Sequence, residues 1–260
     1  MKTSRQAGNL PHILHWSLST SRVFLTAEWR NLVLLSFPIE RAVLDARLPR
    51  GLALDLWEGQ ALVSLVGFQF LHTKVLGAPA APYRDFPEVN LRYYVRSGPK
   101  RGVVFIKEIV PHGVIAWLAR TLYSENYVSL PMRTDVDPGR RAEYSWTLAE
   151  RDDSTDHSIR VVASGPAAYP PPGSLEEFII EHQWGYSVKD GGECFEYRVE
   201  RPPWRVYPVE SYGFRVDAGR VYGPEFAPAL KMKPVSVILA EGSAISVSFG
   251  RKITDRSSSD

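Results

Sequence analysis

The sequence predicts a mostly β, single-domain protein of the α+β class: a curved antiparallel sheet, closed or half-closed into a barrel, with a few short helices. Three observations predict it. Phe86 to Val95 alternates, with Val89, Leu91, Tyr93 and Val95 on one side and Glu88, Asn90, Arg92 and Tyr94 on the other, the period of a strand whose two faces differ. Trp29–Phe37, Ala61–Val75 and Val103–Val110 are long, nearly unbroken apolar runs, as strands covered on both faces require. Helical periodicity is confined to short stretches, and no low-complexity linker divides the 260 residues.

Taken in order, residues 1–20 read as a loosely ordered lead-in and residues 21–253 as the domain. After the first strand, Pro38 opens a short helix, where its missing N–H is not needed; Pro49-Arg50-Gly51 ends it. Leu52–Trp57 reads as a strand, Glu58-Gly59-Gln60 as a turn, and Ala61–Val75 as a long strand with a bend or bulge at Gly67. A central hairpin follows, Phe86–Val110, turning at Ser97-Gly98-Pro99-Lys100. The clearest helix is expected over Val114–Tyr127. Strands return at Arg141–Glu150, Ser158–Ser164, Cys194–Glu200 and Trp204–Tyr212. Between them Ser174–His182 reads as a helix with a capping box, Ser174 at the N-cap and Glu177 three residues on. A final hairpin is expected to turn at Glu241-Gly242-Ser243, and residues 254–260 read as a disordered tail.

Charge narrows the function classes. Thirty-one Lys and Arg against 29 Asp and Glu leave a net charge of +2. Such scattered, balanced charge argues against nucleic acid or an anionic membrane as the main partner. Cys194 is the sole cysteine, so no internal disulfide forms, and a reducing, cytoplasmic location is expected. It reads as a small residue at a strand start. No leader-like apolar segment and no run of 18 apolar residues stands in the sequence. Phosphate-loop, dinucleotide, nucleophile-elbow and H-E-x-x-H motifs are lacking, and the six histidines are scattered. No cofactor and no metal are therefore expected. Oligomeric state is open, a homo-oligomer included.

Four groups of residues could carry chemistry. Glu88, Asn90 and Arg92 share one strand face, which alternation alone assigns equally to solvent or to the inside of a barrel. Lys107 and Glu108 interrupt an apolar strand; neighbours on a strand face opposite ways, so one should be buried and hydrogen-bonded. Lys107 reads either as a cap on a rim salt bridge or as a lysine poised for Schiff-base chemistry. Arg120, Tyr123 and Tyr127 fall on one helical stripe, able to shield an interface or to clamp a carboxylate with phenol donors. Trp184 and Tyr186, flanking Gly185, could wall a pocket or pack core.

The segments Leu48–Phe68, Phe86–Val95 (F-P-E-V-N-L-R-Y-Y-V), Arg101–Pro111 and Ala119–Tyr127 (A-R-T-L-Y-S-E-N-Y), with Pro202-Pro203-Trp204, resemble the bacterial YqjF-like family over about Trp29 to Ile253. That family looks like a branch of the acetoacetate decarboxylase-like superfamily. The resemblance implies one cone-like barrel around a small-molecule pocket, with Glu88 at the place of the decarboxylases' glutamate. Their catalytic lysine has no counterpart here: no lysine lies between Lys107 and Lys189, and Lys107 matches no catalytic position. Two classes of function follow. One is an enzyme on a small carbonyl or carboxylate metabolite, working by acid/base chemistry at Glu88 without a Schiff base. The other is a non-catalytic binding protein for a small organic acid. In either, Asn90, Arg92, Lys107, Arg120, Tyr123, Tyr127, Trp184 and Tyr186 are the expected ligand contacts.

Overall fold

The computed structural model describes residues 22–113, 126–150, 153–188 and 192–253. The expected lead-in and tail, and the helix over Val114–Tyr127 up to Glu125, lie outside them. The main sheet is built on five long strands: β1 (Val23–Pro38), β3 (Leu62–Val75), β5 (Phe86–Ser97), β6 (Lys100–Val110) and β15 (Ser236–Ser248). With β11 (Trp184–Val188) and β12 (Cys194–Glu200) they run in the order β15-β1-β3-β5-β6-β11-β12. β12 then pairs back onto β15, Val199 opposite Val247 and Glu200 opposite Ser246, so the strands close into a ring. Closure removes the open edges that a long sheet would otherwise present. Short strands extend it: β2 (Ala53–Leu54) on β5, β4 (Ala78–Pro79) on β3, β7 (Tyr127–Ser129) on β6, and β13 (Val206–Tyr207) on β15. Two pairings, β6 with β7 and β6 with β11, are parallel.

A second sheet holds β8 (Met132–Asp137), β9 (Arg141–Glu150), β10 (Asp153–Ala163) and β14 (Val209–Arg215). It packs on the outer face of the ring. There Val89, Leu91 and Tyr93 join one core with Tyr144, Trp146, Ile159 and Val161. Gly67 has its physical reason here, since a Cβ on it would stand 2.7 Å from both Ile159 and Tyr144. The irregularity expected at Gly67 lies across from it in β1, where Asn31 takes φ 55° and the register slips between Arg30 and Val33. The inner face carries a second core, including Leu32, Val66, Phe68, Phe70, Tyr197 and Trp204. Alternation along β5 thus separates two interiors, and both faces of its middle are buried.

Helices are short: α1 (Arg41–Asp45), α2 (Leu175–Ile180), α3 (Ala218–Val221) and α4 (Ala227–Leu230). At α2 the Ser174 hydroxyl accepts from Glu177 N at 3.2 Å, while the Glu177 carboxylate accepts from Gly173 N, one residue ahead of the N-cap, at 2.6 Å. Three expectations are corrected. The final hairpin is one continuous strand: β15 pairs with β1 from Ser248 to Ser236, so a long template overrides the turn signal of Glu241-Gly242-Ser243. Gly242 takes φ +79° and lies so close to β1 that a Cβ would stand 1.9 Å from the Trp29 carbonyl oxygen. The expected strand over Trp204–Tyr212 divides at Pro208, β13 staying with the ring and β14 crossing to the second sheet, because proline cannot donate to a ladder. The strand expected over Leu52–Trp57 shrinks to Ala53–Leu54.

Candidate active site

The inner face of the ring encloses a cavity of about 130 Å³, roughly ten times the space that one water needs. Ten of the 23 residues in its wall are aromatic, among them Trp29, Phe68, Phe70, Phe105, Tyr197 and Trp204. Its polar part is built on β5. The period of the strand turns Glu88, Asn90 and Arg92 to the same side, and all three line the cavity. Ladder partners across β3 are Phe68, Val66 and Ser64, so Glu88 and Asn90 rise beside apolar residues and Arg92 beside a serine. On β6, Glu108 stands beside Asn90, and on β7 Tyr127 stands beside Glu108; both reach the cavity.

Glu88 is 2% exposed. Its Oε1 accepts from Asn90 Nδ2 at 2.9 Å and its Oε2 from Tyr127 OH at 3.2 Å. Burial pushes its carboxyl up to about 7, against the hydrogen bonds from Asn90 and Tyr127 and the charge of Arg92, which all pull it down. Glu88 and Arg92 are not closed into a salt bridge. The Arg92 guanidinium carbon stands 5.9 Å from the Tyr94 ring centre, and its buried Nε has no hydrogen-bond partner among the described residues. Half-buried Arg92 also pushes on a buried guanidinium, Arg201, which stacks 3.7 Å over Trp204 and donates to the Ile180 carbonyl.

Trp184 lines the cavity through the start of β11, with Lys100 Nζ 4.5 Å from its ring centre. Two of the expected contacts lie elsewhere. Tyr186 is fully buried in the outer core, its hydroxyl donating toward the Lys100 carbonyl at 3.4 Å; Gly185 is the cavity residue instead, and the Tyr197 ring occupies the space that a Cβ there would need. Lys107 also faces outward, donating to the Val221 carbonyl at the end of α3. The cause is strand parity: Leu91 pairs with Lys107, both on the outer side, and a bulge then sets Phe105 against Arg92 on the inner side. The member of that charged pair inside the cavity is Glu108, 1% exposed. Arg120 and Tyr123 lie outside the described residues. Lys107→Met is expected to cost about 1 kcal/mol, the worth of one helix-end hydrogen bond, and to leave ligand affinity unchanged. Urea unfolding and a binding titration check both.

No pattern in the sequence singles out His182 and Asp55. His182 lines the cavity, with Nε2 3.0 Å from Asp55 Oδ2. These two are 127 residues apart, so no spacing could announce them; the only local signal was a histidine closing a capped helix. Among the described residues no cluster of three or more His, Cys, Asp or Glu could hold a metal ion, and no helix is long and apolar enough to cross a membrane. Cys194 opens β12, buried, its thiol pushed up to about 11 by burial and by Glu196, which suits a packing residue better than a nucleophile.

A ring of strands around an aromatic cavity with a buried glutamate has the acetoacetate decarboxylase-like fold. The acetoacetate decarboxylase of Legionella pneumophila superposes over 98% of this chain and 100% of its own, with a TM-score of 0.61 at 12% identity. The enduracididine biosynthesis enzyme MppR, in its complex with pyruvate, superposes over 94% of this chain and 95% of its own, at 0.58 and 13%. By sequence the chain belongs to DUF2071, a family of uncharacterized conserved proteins, which it matches over residues 26–244. It is 26% identical to the uncharacterized protein YqjF of Bacillus subtilis over 206 residues, 78% of this chain and 84% of that one.

Proposed function

We infer that the cavity binds a small organic acid or its carbonyl relative, and that Glu88 moves a proton on it. The observation that carries this reading is the Glu88 carboxyl, held near 7 beside the Arg92 guanidinium, whose buried Nε has no hydrogen-bond partner among the described residues, in an aromatic-walled cavity. A group near 7 is present both as acid and as base at neutral pH, the condition for efficient proton transfer. Arg92 supplies a fork of donors matched to a carboxylate. The two solved relatives support the class of ligand, since one is named for acetoacetate and the other was solved with pyruvate. Catalysis through a Schiff base is not part of this reading. No lysine is among the described residues that line the cavity, and Lys107 is turned to the other face of β6.

A second reading, a pocket that binds such an acid without turning it over, is favoured by one observation: Asn90 and Tyr127 engage both oxygens of Glu88. Proton exchange separates the two. Acetoacetate and pyruvate incubated with the protein in D2O should lose C–H signal at carbon next to the carbonyl faster than buffer, and Glu88→Gln should abolish the excess. Exchange at the buffer rate would leave only the binding reading. Borohydride added to either mixture should leave no covalent adduct on any lysine; an adduct would return the Schiff-base mechanism.

A further inference from the structure

The cavity is polar on one side only. Its charged and amide groups, Glu88, Asn90, Arg92 and Glu108, stand on β5 and β6, which are neighbours in the ring of strands. Strand order places β15, flanked by β1 and β12, across from that pair. Those three strands line the cavity through Trp29, Tyr197, Val199 and Val247 among others, and among the described residues they bring no charged or amide side chain to it. Trp29 anchors this far wall. It is half-buried and lies edge to face with Phe68, Phe70 and Trp204, ring centres 5.2, 5.7 and 6.3 Å away. Arg92 is half-buried as well and lines the same cavity, so both ends keep surface for a ligand. The space is large for the simplest acids: at about 130 Å³ it has room for roughly ten waters, several times the bulk of pyruvate. An acid of that size held at Arg92 would leave the far wall facing water, and apolar wall left wet adds nothing to affinity.

We propose that the cavity takes a carboxylic acid that carries an aromatic ring, with the carboxylate against Arg92 and the aromatic ring against Trp29. The carboxylate end rests on the reading above; the aromatic end rests on the far wall alone. The polar side orients the molecule, and the apolar side selects it by the area it buries. An aromatic ring suits that wall better than an alkyl chain, because Trp29, Phe70 and Trp204 already meet edge to face and a planar ring extends the array. A charged group at the far end would lose its water without gaining a charged or amide partner there.

The test is a matched set of acids, 3-phenylpropionate, 4-methylpentanoate and propionate, titrated calorimetrically at pH 7; none carries a ketone, so no turnover adds heat. 3-Phenylpropionate should bind roughly 50-fold more tightly than propionate, the worth of one buried phenyl group, and more tightly than 4-methylpentanoate. In Val247→Phe, which fills the far side of the cavity, the ratio of 3-phenylpropionate to propionate affinity should fall to a few-fold. Should that variant fail to fold, the wild-type protein still decides: the heat-capacity change on binding should be clearly more negative for 3-phenylpropionate than for propionate, the mark of apolar surface buried, and equal changes would count against the proposal. Equal affinities with dependence on Arg92 intact, 4-methylpentanoate binding as tightly as the phenyl acid, or a phenyl preference that survives Val247→Phe overturn this proposal and leave the carboxylate site standing. If none of the acids binds, the carboxylate reading itself fails and takes this one with it.

Discussion

Glu88→Gln is expected to match the wild-type protein in stability near pH 4 and to exceed it by roughly 3 kcal/mol at pH 8, because the folded carboxyl is held near 7 instead of at its ordinary 4.5. The folded carboxyl titrates near 7 and the unfolded one near its ordinary 4.5. Below pH 4.5 both forms keep the proton, and the wild type has its full stability. Between 4.5 and 7 the unfolded chain releases a proton that the folded one retains, so stability falls as pH rises. Above 7 both are ionised and the difference is constant. Glutamine removes this slope. His182 contributes the opposite slope, because its folded value near 4 lies below the unfolded 6.5: protons favour the unfolded chain as pH falls through that window. The two nearly cancel in the wild type between 4.5 and 6.5, so the readout is the difference between variant and wild type in urea unfolding at pH 4.5, 6 and 8. Parallel curves would show that the carboxyl titrates normally.

Arg92→Met should abolish binding of small carboxylates, a loss on the order of 100-fold, or about 2.7 kcal/mol, for a charge-assisted guanidinium–carboxylate contact. The fold should not suffer. Among the described residues the buried Nε of Arg92 has no hydrogen-bond partner, and the guanidinium repels Arg201, so methionine removes a desolvation cost and keeps the apolar volume. The expected result is an unchanged or higher melting temperature together with loss of the thermal shift that organic acids give the wild type. A variant that melts lower yet still binds acids would assign Arg92 a structural role and move the site elsewhere.

Which parts of this arrangement the sequence shows follows from how far apart the cooperating residues are. Glu88, Asn90 and Arg92 are legible because one strand carries them at period 2. Whether their face meets solvent or a cavity is not, since that depends on the β12–β15 pairing that closes the ring. Tyr127 reaches Glu88 through the parallel β6–β7 pairing, which no local pattern encodes. Lys107 and Tyr186 show the limit of reading type without parity. Each stands one residue from a true lining position, Glu108 and Gly185, and one step along a strand reverses the face. The Asp55–His182 contact is purely tertiary. Gly242 carries an ordinary turn signal, and only the length of β1 keeps its strand paired on both sides of it.

The central claim is that an organic acid binds against Arg92 and is sensed by Glu88. Calorimetric titration of pyruvate and lactate at pH 8, repeated in buffers of different ionisation enthalpy, tests it directly. A carboxylate that neutralises Arg92 removes part of what holds the Glu88 value down, so binding must raise it and draw protons from the buffer. The account predicts net proton uptake, at most one per site, in the wild type and none in Glu88→Gln. Binding with no uptake, uptake that persists in Glu88→Gln, or no binding of either acid would contradict it.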